Sequence, residues 1–212
     1  MRDLDYFSGL WHSKKSPNGP HTPELWDSRA EEWIADLRVQ QSERPKAVAE
    51  YLFKRGVLTS DSAILDVGCG PGLFVEEFSR RCKRAVGVDF SQKFIEFAQQ
   101  NCEKQGLANA EFIQSDFNEF SPEEKFDIVF ASNSPAVSNP EGISKFESLS
   151  NGWCCNVTFV KAEGRTGIGF YSLLNILYLR GFYPETYYFT VNDSVYGSIL
   201  WNINRQDKER KL

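Results

Sequence analysis

The chain of 212 residues has little histidine, no long apolar run and no excess of positive charge. Its two histidines, His12 and His21, lie far in sequence from any of the five cysteines. A zinc site of mixed Cys and His ligands is therefore not expected. No two cysteines stand in Cys-x-x-Cys spacing and their number is odd, so the expectation is reduced thiols in a cytoplasmic protein, with no bound metal. No stretch approaches the roughly 20 apolar residues that cross a bilayer. The opening MRDLDYFSGLWHSKK has acids near its start and no apolar h-region, which argues against a secretory leader and a membrane partner. The net charge is -5. A nucleic-acid partner is not expected, because polyanion binding generally needs a basic face. Internal repeats, low-complexity tracts and dividing linkers are missing as well. What remains is an ordinary composition, 41% hydrophobic and 25% charged, long enough for one domain with a sizeable core.

Residues 1–23 are rich in Ser, Gly, Pro and Lys and read as an irregular arm. The spacing of Leu25, Trp26, Arg29, Trp33 and Leu37 predicts a short amphipathic helix, with Asp27 or Ser28 able to cap a later start. A second helix is expected over 45–56, with Pro45 in its first turn and Gly56 as its stop. Strand and helix patterns then alternate. Strands are expected at 63–68, 85–90, 111–117, 126–132 and 153–161, and helices at 73–81, 91–106, 140–150 and 168–180. Ser91 suits the N-cap of the helix that follows it. Two late strands, 186–192 and 196–204, lie too close for a parallel crossover and should form an antiparallel hairpin. The expected fold is α/β: a Rossmann-like, doubly wound sheet of about seven strands, mostly parallel. The expected organisation is an N-terminal arm and helix over 1–44, a core over 45–204 and a charged tail over 205–212.

The stretch ILDVGCGPGLF (64–74) carries the functional signal. Glycines at 68, 70 and 72 let a backbone turn approach a ligand without side-chain collision. The dinucleotide fingerprint is G-x-G-x-x-G. The spacing here is G-x-G-x-G, one residue tighter. Asp66 ends the strand just before the turn, where it would repel a pyrophosphate but suit a ligand with an ammonium group.

ILDVGCGPGLF resembles motif I of the class I S-adenosylmethionine-dependent methyltransferases. GVDFS (87–91), SDF (115–117) and FDIVFAS (126–132) are similar to the later elements of that family, in order. The resemblance implies S-adenosyl-L-methionine as cofactor and S-adenosyl-L-homocysteine as product. Gly68, Gly70 and Gly72, with Cys69 as a small packing residue among them, would pass under the methionine and ribose. Asp66 would help to hold the ammonium. Asp89 would accept from both ribose hydroxyls, for which its two oxygens suit it, with Ser91 following. Phe90 and Phe117 would flank the adenine, whose amino group would donate to Asp116 beside Ser115. Ala131, Ser132 and Asn133 would line the path to the sulfonium. Each assignment has a plainer rival: Asp89 as a strand-end turn residue, Asp116 as a turn cap, the phenylalanines as core.

Catalysis of methyl transfer is largely alignment, so catalytic residues are hard to read. Candidates are His12 and His21, a residue type whose ordinary pKa suits a general base, and Asn133. Asn133 and Pro135 match part of an Asn/Asp-Pro-Pro-aromatic motif, but Ala136 and Val137 replace the rest. Trp26, Arg29, Trp33 and Ser134 are candidate acceptor contacts, the plainer reading of the tryptophans being that they anchor their helix to the sheet. The expected partner is a small-molecule acceptor, with the protein a monomer or homodimer. Two competing readings are a protein that binds this cofactor without catalysis, and a nucleotide-dependent oxidoreductase.

Overall fold

The structure, a computed structural model, describes residues 3–12, 21–40, 43–162 and 164–205, with the side chains of all of these except 11, 12 and 37–40. Three helices come first: α1 (Leu4–His12), α2 (Pro23–Gln40) and α3 (Glu43–Lys54). The Rossmann-like alternation follows as β1 (Ala63–Val67), α4 (Leu73–Ser79), β2 (Arg84–Asp89), α5 (Gln92–Lys104), β3 (Ala110–Gln114) and β4 (Phe126–Ser132). A 3-10 turn (Pro135–Val137), α6 (Pro140–Ser148), β5 (Ser150–Ala162), β6 (Arg165–Thr166), α7 (Ile168–Leu179), β7 (Glu185–Val191) and β8 (Ser194–Asn202) complete the described chain. Among the described residues no helix is long and apolar enough to cross a membrane.

The strands form one sheet in the order β3-β2-β1-β4-β5-β8-β7, with β6 pairing β5. Strands β1 to β5 run parallel, and β8 pairs antiparallel with both β5 and β7. The expected mixed sheet is present with eight strands rather than seven, because the long β5 turns back on itself to pair with the two-residue β6. The late hairpin is tight. Asn192 and Asp193, both at positive φ, join Val191 to Ser194, a two-residue turn whose twist matches that of the strands.

Side chains alternate across the central strands and fill two cores. Ile64, Phe130 and Cys155 face Leu52, Phe74, Phe78 and Ile95 on one side. Leu65, Val129 and Cys154 face Ile143, Phe146, Phe170 and Trp201 on the other. Burial on both faces explains why β1, β2 and β4 read as apolar runs.

Three local expectations differ from the structure. The region expected to be irregular contains α1, which packs on α7. Asp3 accepts from the Tyr6 N–H at its start (3.1 Å), and Leu4, Phe7 and Leu10 recur at helical spacing. The Pro- and Lys-rich part of that arm, 13–20, lies outside the described residues, as does the expected tail beyond Arg205. The third strand stops at Gln114 rather than 117, because Asp116 folds the chain into a turn: its carboxylate accepts from Asn118 N–H (2.7 Å) and its carbonyl from Glu119 and Phe120. Asp27 and Ser28 do not cap α2, which starts earlier on Thr22, whose hydroxyl accepts from Leu25 N–H (3.3 Å).

Gly72 has φ +78, and a Cβ there would stand 2.8 Å from Ala98 Cβ and from the Phe112 ring. It fixes how closely α4 and α5 approach β3. Gly72→Ala is expected to destabilise the protein by about 2–4 kcal/mol through backbone strain and overpacking together. Urea unfolding of the two proteins measures this directly.

Candidate active site

In a doubly wound sheet the cleft opens beyond the carboxyl ends of the strands where their order reverses. Here that point lies between β1, which continues to β2, and β4 on its other side. A cavity of about 460 Å³ occupies the place. Its wall includes Asp66, Gly68, Cys69 and Gly70 from the β1 turn, and Asp89 and Phe90 after β2. Ser115, Asp116 and Phe117 follow from β3, with Ser132, Asn133 and Ser134 from β4. His21, Trp26 and Trp33 reach it from the arm.

The glycine turn is held from below by β2. Gly68 and Cys69 both donate to the Val88 carbonyl (2.8 and 3.1 Å). A Cβ on Gly87 would lie 2.7 Å from Cys69 Sγ, so the glycine in β2 makes room for that thiol. Cys69 is thereby a packing residue, and burial drives its pKa well above the ordinary thiol value, with Asp89 and Asp66 adding to the effect. Gly68 (φ +70) lies against Ser134, whose side chain a Cβ would strike. Gly70 (φ +52) has nothing within 4 Å of where a Cβ would stand. Backbone at Gly70 is therefore bare toward the cleft.

Asp89 is tied into the turn by both oxygens. Gly70 N–H donates to Oδ2 and Ser91 N–H to Oδ1, each at 2.9 Å. Burial raises its pKa, the backbone donors at Ser91, Gly70 and Phe90 oppose that, and Asp27 adds to the rise. Each bound oxygen keeps a second lone pair for a ligand hydroxyl. Asp116 likewise commits one oxygen to its own turn and leaves the other.

Asp66 is different. It is 2% exposed and neither carboxylate oxygen has a hydrogen-bond partner. Burial raises its pKa well above the usual carboxylate range, Asp89 raises it further, and Arg44 works the other way. Arg44 is the residue that the sequence reading missed. It sits in the first turn of α3, is 7% exposed, and lines the same cavity. Its guanidinium lies 4.9 Å from the Tyr196 ring centroid and 5.5 Å from that of Phe74. Nε and Nη1 have no partner. Burial lowers its pKa, with Tyr196 and Asp66 opposing. A signal for it exists in the sequence: a cation in the first turn of a helix opposes the helix dipole. Such a placement needs a reason elsewhere.

Four residues expected at the site do not line the cavity. Gly72 is turned toward α5. Ser91 is fully buried as the N-cap of α5, its hydroxyl accepting from Phe94 N–H (3.3 Å). Ala131 lies in the core beneath Ser132. Arg29 is half-buried on α2, outside the wall. The side chain of His12 lies outside the described residues. Asn133 does line the cavity, but at φ 50 it forms the turn after β4 and its Oδ1 accepts from Phe159 N–H (3.2 Å). His21 stacks on Trp26 (5.7 Å between centroids, 8° between planes), and Trp26 meets Trp33 edge-on (5.0 Å) and Phe94 at 6.3 Å. Pro135, Ala136 and Asn139 complete the wall beyond Ser134.

Residues 64–149 match the family described as "Methyltransferase domain". Over 104 residues the chain is 32% identical to a ubiquinone biosynthesis O-methyltransferase of Bradyrhizobium diazoefficiens, covering 42% of this chain and 41% of that protein. Over 107 residues it is 33% identical to a trans-aconitate 2-methyltransferase of Yersinia pestis, covering 49% and 39%. The matches thus span about two fifths of the length of these curated relatives. The crystal structure of magnesium protoporphyrin IX methyltransferase from Synechocystis with bound SAM superposes with a TM-score of 0.64 at 19% identity. That superposition covers 95% of this chain and 97% of the other, a likeness of fold.

Proposed function

We infer that this chain, whose residues 64–149 form a methyltransferase domain of the class I S-adenosylmethionine-dependent family, binds that donor and passes its methyl group to a small-molecule acceptor. One observation carries the reading. In one cavity wall Asp66 is buried with neither oxygen hydrogen-bonded, and Arg44 is buried with its Nε and Nη1 unpartnered. Unpaired buried charges are strongly unfavourable, so they mark a place completed by a ligand. An α-amino acid zwitterion carries the two complementary groups, and the methionyl part of the donor is one.

When bound, the donor supplies a methyl group on a sulfonium, which needs an aligned nucleophile more than an acid or base. Asp66 accepts from the ammonium and Arg44 donates to the carboxylate. The bare backbone at Gly70 lets the chain approach closely. Asp89 accepts from the ribose hydroxyls, and Phe90 and Phe117 flank the adenine. The free oxygen of Asp116 suits the adenine amino group. Acceptor contacts fall to the opposite wall, Ser134, Pro135, Ala136 and Asn139. Helix α2 and His21 act as the cover of the cleft, with Trp26 on the donor side through its packing on Phe94 and Trp33 set against Trp26.

Calorimetry with S-adenosylhomocysteine and with NAD tests the donor. Binding of the first and not the second is expected, and binding of NAD alone would overturn the assignment. Isotopically labelled donor, offered to a cell extract separated into metabolite and RNA fractions, tests the acceptor. Label in small molecules is expected, whereas label confined to RNA would refute the acceptor class.

A further inference from the structure

Asp27 belongs to α2, yet its carboxylate serves another element. Oδ1 accepts from the Ser91 hydroxyl and from Lys93 N–H (3.3 Å), at the start of α5. Ser91 caps the Phe94 N–H of α5 and Asp27 takes the Lys93 N–H, a second unpaired donor of the same terminus, so the start of α5 is closed in part by a residue of α2. Ser91 is also tied backward: its N–H donates to Asp89 Oδ1 (2.9 Å). One buried serine therefore joins three parts of the molecule, namely the arm through Asp27, the α5 terminus through Phe94, and the carboxylate assigned to the donor ribose. The residue before Asp27 is Trp26, whose ring contacts His21, Trp33 and Phe94 and forms part of the cavity wall. Release of Asp27 would free that wall.

We propose that Asp27 is a positioning residue that latches α2 to the ribose side of the cleft, so that donor occupancy and closure of the His21, Trp26 and Trp33 wall are coupled through Ser91. The coupling is electrostatic. Asp27 and Asp89 are like charges sharing one serine. Ribose hydroxyls that donate to Asp89 stabilise its charge locally, and the latch then holds against less repulsion. Donor departure in turn requires the latch to open. This rests on the donor assignment above.

Stopped-flow tryptophan fluorescence with S-adenosylhomocysteine reads the latch. Asp27→Ala is expected to raise the dissociation rate about tenfold, through the loss of a charged hydrogen bond. Asp27→Asn keeps an acceptor oxygen and should stay within about threefold of wild type, since a neutral acceptor retains part of the bond. Ser91→Ala should speed release as well, and the double variant should add little, because both changes break one link. Wild-type release from Asp27→Ala would overturn the latch. So would an equal fall in Tm for the Ala and Asn variants with unchanged release, the mark of a purely structural contact. A wild-type protein that does not bind S-adenosylhomocysteine would instead refute the donor assignment, and the latch with it.

Discussion

Asparagine in place of Asp66 will leave the ligand-free protein more stable than wild type while removing most of its affinity for S-adenosylhomocysteine. The carboxylate is 2% exposed and unpartnered, and burial, then Asp89, raise its pKa above the ordinary 3.8. The folded state thus holds this proton more tightly than the unfolded chain does. Stability therefore falls as pH rises from the unfolded-chain pKa to the raised folded value. Above that value the folded protein carries the full penalty of an ionised, poorly solvated group. Asparagine is close in shape and cannot ionise, so it avoids this. The expected gain at neutral pH is about 1–3 kcal/mol, or about 2–12 °C in Tm for a chain of this size. The advantage should shrink as the pH falls through 4, where the unfolded chain also begins to take up the proton and the difference between the two states closes. Loss of the charged contact to an ammonium should weaken ligand binding by about 10–100-fold. Thermal melts at pH 4 and pH 8, paired with calorimetry, measure both halves. A variant less stable than wild type at both pH values would refute the unpaired-charge description.

Methionine in place of Arg44 should separate two parts of the ligand. Affinity for S-adenosylhomocysteine is expected to fall by about 10–100-fold, the effect of a lost charged hydrogen bond. Affinity for 5′-methylthioadenosine, which lacks the amino-acid group, should stay within about threefold, because no contact that Arg44 makes to a carboxylate exists there. Methionine preserves apolar contact with Phe74 and Tyr196, where the arginine now packs, so the cleft keeps its walls. Equal losses for both compounds in calorimetry would mean that Arg44 shapes the cleft rather than reading the carboxylate.

Most of the sheet is legible in the sequence because β1, β2 and β4 are buried on both faces and their composition records it. The glycine turn and Asp89 are legible for a related reason: a tight bend packed on β2 at the rim of a cavity restricts residue choice over a short span. Arg44 is not legible in that way. It lies 22 positions before Asp66 in the chain, and only the packing of α3 against α4 and β7 brings it into the cleft. Its surroundings, Phe74 and Tyr196, come from α4 and β8, the latter from the far end of the chain. The role of Asp27 is hidden for the same reason. Local reading places it near the start of its own helix, whereas its partners, Ser91 and Lys93, belong to another. The end of the third strand misleads differently. Glu111 to Phe117 has suitable apolar spacing, but the backbone bonds of Asp116 outweigh it.

The deep placement of the sulfur-bearing residues has a practical outcome. Cys69, Cys82, Cys102, Cys154 and Cys155 are all buried and free. Burial raises each above the ordinary thiol pKa, Cys82 and Cys102 to about 11 and Cys155 to about 12. The reactive form of cysteine is the thiolate, so alkylating reagents meet five inert groups while the fold stays closed. Opening of the chain exposes them and restores ordinary reactivity. Alkylation rate thus becomes an internal clock for unfolding, in which Cys69 reports from the glycine turn and Cys154 and Cys155 from the middle of the sheet.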